Sequence, residues 1–422
     1  ELLSESNFLL ESQTLQTQLS FFNPDDELTK KGRAIGETLV YVTTSISGGA
    51  AALDMDPSAI WQVLNTIQIL TYIPITSNPL TPTLKGYFKG LNLLQVVPEP
   101  ISYSSDKTNT HYYSREYGFS SNLFLANAGS NIAILLFVLL LWPVIRLTSK
   151  VSCLHKLCTH LLRQYKFNVF IRYLIQSYLD LAIVCLIQFT SAPLIKIEVV
   201  SSFLLGCFFF ALLLSAPLFL FVLCKASQSQ IQSKDTDFYE TWGSLFEEFN
   251  PTSKSALTYP LFILKRLLFA GSLILLSELP YLQGVFNCLL MLGFSVFMVV
   301  VMPYKDKITQ VTLCVVEVGI TLVFGLVIYY LQEERASGVE TAIIYLSTGL
   351  VGVQCLGAVV KVALKLYNCC KNKKSNSNTV MNLSQQNSGL AFKPEESLEV
   401  CSDKIEENNS SFLPSASEFR KK

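Results

Sequence analysis

Charge is scarce in this chain of 422 residues. Only 15% of the residues are Asp, Glu, Lys or Arg, whereas 50% are hydrophobic, and a typical soluble domain has about 25% charged residues. The formal net charge is zero, so the composition gives no support for nucleic-acid binding. The mean hydropathy of +0.39 is instead typical of a membrane protein.

The sequence also lacks the short motifs that identify common enzymes and channels. It has no P-loop, G-x-S-x-G, H-E-x-x-H or Rossmann fingerprint, so we predict that it is not an enzyme and binds no cofactor. It has no span with Arg at every third position and no TVGYG segment, which argues against a voltage sensor and a potassium filter. The Cys/His run at 153–160 would place its side chains on opposite faces of a helix, so we predict no metal site.

Long apolar runs fill most of the chain from residue 124 onward. A helix needs about 20 mostly apolar residues to cross a bilayer. Seven stretches meet this requirement with at most two charges each: 124–145, 168–192, 203–224, 257–276, 282–302, 311–331 and 341–360. They predict an all-α fold, a polytopic bundle of transmembrane helices in the lipid bilayer.

Two weaker segments precede these seven spans. Residues 36–53 contain one charge and a small-residue run at 45–52, and small residues let helices approach closely in lipid. Residues 60–75 are uncharged, and Trp61, Asn65 and Gln68 share one helical face that suits hydrogen bonding to another helix. Counting both segments gives the nine spans that we favour. The alternative for 60–75 is an interfacial or re-entrant hairpin.

Basic residues indicate the orientation of the bundle. Lys and Arg are concentrated in the loops 146–166 and 303–308 and at 365–374, which fall on one side if the seven spans alternate. Short cytoplasmic loops have such an excess, so we predict a cytoplasmic C-terminus, in the plasma membrane. All 11 cysteines follow residue 152 and lie in spans or on that side. Thiols stay reduced there, so we predict no disulfides.

The chain is expected to have three parts. Residues 1–32 form an exoplasmic pre-membrane segment, residues 33–368 form the multi-pass domain, and residues 369–422 form a disordered cytoplasmic tail that is open to partners. Cys369 and Cys370 are candidates for palmitoylation. The acidic loop 225–256, which includes Glu248, is expected to be solvated. Because the chain begins with Glu and opens with no signal peptide, we expect a longer precursor.

Ionisable groups inside spans are costly in lipid, and each one is a functional hypothesis. Asp180 lies near the middle of its span and, with Asn65 and Gln68, is a candidate for the lining of a polar path. For ion pairing within the membrane there are four candidates: Arg172, Lys265, Arg266 and Glu317. We expect Arg266 to pair with Glu317, and Lys265 either to join such a pair or to snorkel to the interface.

One stretch resembles a known family. It reads Tyr239-Glu-Thr-Trp242-Gly243-Ser-Leu245-Phe246-Glu247-Glu248-Phe249, followed by Tyr259-Pro260, Lys265-Arg266, Gln283 and finally Pro303-Tyr304. This pattern is similar to the TRP-like (transient-receptor-potential-like) C-terminal membrane domain of fungal and protist proteins. A second region, 57–126, resembles the membrane-entry region of large ciliate surface proteins, which have cysteine-rich repeats upstream.

The resemblance implies a nine-span domain with an exoplasmic N-terminus and a loose link to cation channels. It implies that Trp242, Gly243, Phe246, Gln283 and Tyr304, together with Arg266, are family-pattern positions. The first hypothesis is therefore a TRP-like cation channel of the cell surface, which would need a homo-oligomer or another assembly around a water path. The alternatives are a non-conducting anchor or sensor for an upstream ectodomain, and a secondary transporter.

Overall fold

A computed structural model describes most of the chain between residues 27 and 388. The described residues are 27–52, 58–76, 80–91, 119, 121–150, 168–191, 197–233, 238, 242–243, 245–246, 248–332 and 337–388. The Cys/His run at 153–160 lies outside them, and so do residues 389–422. The chain divides into two units, Glu1–Val362 and Ala363–Lys422. All of the contacts described below belong to the first unit.

The described residues are almost entirely helical. They form α1 Glu27–Ala52, α2 Ser58–Thr71, a 3-10 turn Ile73–Ile75, α3 Pro82–Gly90, α4 Phe124–Thr148, α5 Asn168–Ser191, α6 Ile197–Ala226, α7 Gln228–Ser233, α8 Ser253–Ala256, α9 Thr258–Leu275, α10 Pro280–Val301, α11 Lys307–Gln332 and α12 Ser337–Ser388. No β-strand occurs within this described part. The helix α12 runs past residue 368, where we placed the end of the membrane domain, and includes Cys369 and Cys370.

Seven of these helices are long and apolar enough to cross a membrane. They are α4, α5, α6, α10, α11, the segment Lys254–Leu275 that includes α9, and the first part of α12. These are the seven spans that the apolar runs predict, and by their length and composition they fit a multi-pass helical membrane protein. The weaker segments at 36–53 and 60–75 are not among the seven, so the count of nine stays a prediction.

Burial separates central from peripheral helices. Two thirds of the span in α5 (67%) is buried inside the protein, and half of the span that includes α9. By contrast, only 11% of the span in α6 and 22% of that in α4 are buried, and their exposed side chains are large and apolar. In a membrane such a surface faces lipid. The helices α5 and α9, which contain Asp180, Lys265 and Arg266, therefore form the centre of the bundle.

The short helix α2 is inserted into this centre. Its 14 residues span about 21 Å at 1.5 Å per residue, less than the ~30 Å of a bilayer core. Ile67 and Leu70 of this helix and Ile73 of the turn that follows are at most 1% exposed. The turn at Ile73–Ile75 contains Pro74 and ends the helix.

Two glycine pairs bring α1 and α3 into backbone contact. A Cβ added to Gly36 would lie 2.4 Å from the carbonyl oxygen of Tyr87, and one added to Gly90 would lie 2.4 Å from that of Arg33. Gly32 and Gly86 are equally close to the opposite backbone. Each helix thus has glycines four residues apart, the spacing that permits close helix crossing in lipid.

At one end of the bundle, two distant loops pair with each other. Phe249 and Tyr304 form an isolated antiparallel bridge, and the amide N–H of Lys305 donates to the carbonyl of Glu248 at 3.0 Å. The side chain of Asn250 donates to the carbonyls of Met302 and Tyr304. We call this end, where α5, α9 and α11 begin, the loop face. The linker before α9 is therefore fixed to the α10–α11 turn.

Candidate functional site

A buried ion pair joins α9 to α11. The Nζ of Lys265 lies 2.8 and 2.9 Å from the two carboxylate oxygens of Glu317. The side chain of Lys265 is 2% exposed and that of Glu317 is 11% exposed. Lys265 therefore does not snorkel to the interface, and Glu317 bonds Lys265 rather than Arg266. The reason is helical geometry, because consecutive residues point about 100° apart and only one of the pair can face α11.

Arg266 points instead toward α2 and α5. Its guanidinium donates to the side-chain oxygen of Asn65 at 2.6 Å and to the carbonyl of Ile175 at 2.6 Å. It also lies over the ring of Phe262, with 4.6 Å to the centroid. Within the described residues its Nε has no hydrogen-bond partner. Arg266 is thus a fully buried cation held mainly by neutral groups.

Asp180 is buried beside this guanidinium and is only 5% exposed. Its carboxylate accepts a hydrogen bond from the hydroxyl of Tyr72 and another from the side chain of Gln68. Asp180 and Arg266 are close enough to interact electrostatically. The polar-path candidates therefore meet in space, but Asp180 is bonded to its neighbours in the protein interior.

The polar face predicted for α2 does bond to other helices. Gln68 donates to the carbonyl of Gln176 on α5 at 3.1 Å, and Asn65 accepts from Arg266. On another side of α2, Thr66 accepts from Gln354 of α12 at 2.8 Å. A short helix surrounded by other helices can satisfy polar side chains in this way, whereas lipid would leave them unpaired. This confirms the prediction of helix–helix hydrogen bonding.

A cavity opens at the loop face below these groups. It encloses about 760 Å³, including the open space at its mouth. Its lining is formed by α2, α5, α9, α10, α11 and the paired loops, and includes six aromatic side chains: Trp61, Phe249, Tyr259, Phe262, Phe294 and Tyr304. Asn65 and Glu317 line it too. Asp180 and Gln68 do not, so one of the three path candidates reaches the cavity.

A second ion pair lies in the cavity wall. The Nη2 of Arg172 lies 3.2 Å from a carboxylate oxygen of Glu248, and both side chains are 14% exposed. The expectation that the acidic loop is solvated is therefore wrong for Glu248, because the bridge between Phe249 and Tyr304 holds this residue against the bundle. Burial, with Tyr259 and Glu248 nearby, raises the pKa of Tyr304 well above its ordinary value, so its hydroxyl stays neutral.

The motif positions quoted from the sequence serve packing as well as the cavity. The rings of Phe249 and Tyr304 lie 4.8 Å apart, which joins the two ends of the motif. Phe246 packs on Phe238 at 5.7 Å, and Trp242 lies 6.0 Å from Phe219. The neighbouring Gly243 is buried. These aromatics cover the end of α6 and the start of α9.

Gln283 lies far from the cavity, near the opposite end of the bundle. It is 0% exposed and donates to the carbonyls of Ser272 and Leu273, in the last turn of α9, at 2.9 and 3.1 Å. The carbonyl of Ser272 also accepts from the amide of Leu276, the residue that caps α9, so this helix end is held from both sides. Gln283 therefore connects α10 to the end of α9.

Several residues of the site carry no sequence signal. Tyr72 lies inside the weak candidate segment 60–75 and is one of many tyrosines, and Glu248 is one of several acids in its loop. Gln354 is a single amide in an otherwise ordinary apolar span, yet it joins α12 to α2. A better signal was available for Glu248, since it lies inside the aromatic motif that ends at Phe249.

Comparison with known proteins adds no relative. No family model, no curated protein and no solved structure matches this chain. The TRP-like resemblance therefore stays a prediction that is based on the residues quoted for it. Within the described residues no group of three or more His, Cys, Asp or Glu side chains is placed to hold a metal ion.

Proposed function

We propose that this chain is a multi-pass membrane protein whose bundle is closed to ions and acts as a membrane anchor or sensor. The observation that supports it is the pairing of the charges in its centre. Lys265 bonds Glu317, Asp180 accepts from Tyr72, and Arg266 donates to Asn65 and to backbone. A buried guanidinium across the route would also repel entering cations.

Cation conduction is the second candidate, and one feature of α2 favours it. Asn65 lines the cavity, and Gln68 and Asp180 continue the polar surface deeper into the bundle. A rearrangement of α2 would place these groups along one path. In this proposal the structure corresponds to a closed state, and the TRP-like resemblance supplies the reason to test it.

Currents from wild type and Asp180→Asn, recorded at matched surface levels, separate the two candidates. The anchor proposal expects no current above that of untransfected membranes for either protein. A wild-type current whose amplitude or cation preference changes in Asp180→Asn would refute it and would support conduction. The exposed Glu278→Gln variant, at the opposite end of the bundle, controls for a general loss of negative charge.

Stability gives a positive readout for the same proposal. Tyr72→Phe removes the hydroxyl that donates to Asp180 and leaves a buried carboxylate short of one bond, which costs about 1–3 kcal/mol. Tyr345→Phe is the matched control, because Tyr345 is 73% exposed on α12. Equal unfolding temperatures for the two variants in detergent would contradict a structural role for the Tyr72 bond.

A further inference from the structure

The cavity at the loop face combines aromatic rings with carboxylates. Six of its lining side chains are aromatic, and its charged lining consists of Glu248, Glu317 and Arg172. Both carboxylates are paired with cations: Glu248 with Arg172, and Glu317 with Lys265, whose side chain lies behind the lining. The accessible surface is therefore an aromatic wall that contains two ion-paired carboxylates.

The same wall already binds an ammonium group. The Nζ of Lys265 lies 4.0 Å from the ring centroid of Phe294 and 5.6 Å from that of Phe262. Glu317 completes this arrangement with two hydrogen bonds. Phe262, Phe294 and Glu317 also face the cavity, so the groups that hold the lysine from one side are within reach of a ligand on the other.

We propose that this cavity is a binding site for a small organic ammonium ion, held by the aromatic rings of α9, α10 and the paired loops and by the carboxylates of Glu317 and Glu248. Aromatic faces attract cations through their quadrupole, and the attraction grows when water is excluded. A neighbouring carboxylate adds charge complementarity.

This proposal goes beyond an anchoring role. Its failure would leave the anchor proposal intact, because its test measures ligand binding and not current. Trp61 lines the cavity and is one of only three tryptophans in the chain. Trp142→Phe and Trp242→Phe together leave Trp61 as the single fluorescent tryptophan. Choline is titrated into this purified full-length background in detergent, with ionic strength held constant by sodium chloride.

If the proposal is right, the positive charge of the ligand must determine whether the fluorescence of Trp61 responds. Choline is expected to change Trp61 fluorescence saturably, whereas 3,3-dimethylbutan-1-ol, which has the same shape without the charge, binds about tenfold more weakly or not at all. An equal response to the neutral alcohol would overturn the proposal, and so would a saturable response to sodium acetate in place of choline. The proposal would also be overturned if the single-tryptophan protein unfolded cooperatively, and so were folded, yet showed no saturable fluorescence change with choline.

Variants of the Lys265–Glu317 pair test whether the ligand binds next to Glu317. Lys265→Met frees the carboxylate of Glu317, so it is expected to tighten choline binding about tenfold. The double variant Lys265→Met/Glu317→Gln removes both charges and leaves neither unpaired, and it is expected to weaken binding below that of wild type. Unchanged affinity in both proteins would show that Glu317 does not contact the ligand and would refute the site as proposed. Glu278→Gln, outside the cavity, is the matched control.

Discussion

The Lys265–Glu317 pair should respond unequally to the removal of its two partners. At 2.8 Å, and with an effective dielectric constant of about 20, the direct attraction is about 6 kcal/mol before desolvation is subtracted. Glu317→Gln leaves the ammonium of Lys265 unpaired at 2% exposure, away from the cavity. Breaking a buried pair in this way costs about 3–5 kcal/mol.

Lys265→Met should cost less. It leaves the carboxylate of Glu317 without its partner, but Glu317 lines the cavity and is 11% exposed, so water can solvate it. We expect about 1–3 kcal/mol for this variant. The double variant Lys265→Met/Glu317→Gln should lie within about 1 kcal/mol of wild type, because no buried charge is left without a partner.

The assay is equilibrium unfolding of the four proteins in one detergent, arranged as a double-mutant cycle. The coupling free energy should be several kcal/mol, on the order of the cost of Glu317→Gln itself. The reasoning would be refuted by additive single-variant effects. It would also be refuted if Lys265→Met proved the more damaging change, since this would mean that the cavity does not hydrate Glu317.

Three further predictions concern other parts of the bundle. Gly36→Ala should destabilise the protein by about 1–3 kcal/mol or more, because the new Cβ would lie 2.4 Å from a backbone oxygen. Gly271→Ala on α9 is the control: its new Cβ meets nothing within 4 Å, so it should be neutral or stabilising. Thermal unfolding of both variants tests this difference. Burial alone would raise the pKa of Asp306, but hydrogen bonds from Thr309 and Lys361 outweigh it and lower the pKa. The stabilisation by Asp306 should therefore be complete above its ordinary pKa of 3.8 and be lost as the pH falls through the lower pKa of the folded protein. The free energy of unfolding, measured from about pH 5 to 3, should show this dependence in wild type and lack it in Asp306→Asn. The same pH dependence in both proteins would exclude the contact. Gln283→Leu should lower the unfolding temperature by removing two hydrogen bonds to the end of α9, at about 1 kcal/mol each, and an unchanged temperature would show that these bonds contribute nothing.

The apolar pattern alone predicts the class of fold. Seven runs of about 20 apolar residues have few alternatives in water or lipid, since a lipid-exposed backbone must satisfy its own hydrogen bonds within a helix. The structure has these seven helices at nearly the predicted positions. The polar face of α2 is also predictable, because Asn65 and Gln68 are spaced to lie together on a helix.

Three features of the site were decided only in three dimensions. Helix rotation determines that Lys265 and not Arg266 meets Glu317, since neighbouring residues differ by about 100° in direction and no local signal fixes which of them faces α11. The pairing of Glu248 with Arg172 depends on the bridge between Phe249 and Tyr304, which are far apart in the chain. The insertion of α2 into the bundle depends on hydrogen bonds from α5, α9 and α12 to its polar side chains.

The sequence by itself therefore determined the secondary structure of this protein, its apolar helices and the few polar groups that they contain. Tertiary structure decided which of those groups are paired, which are buried and which line a cavity. The physical reason is range. Helix formation and burial in lipid depend on residues within about 20 positions of one another, whereas each charge at the site is held by a partner on another helix or loop, at 2.6–3.2 Å for Arg172, Lys265 and Arg266.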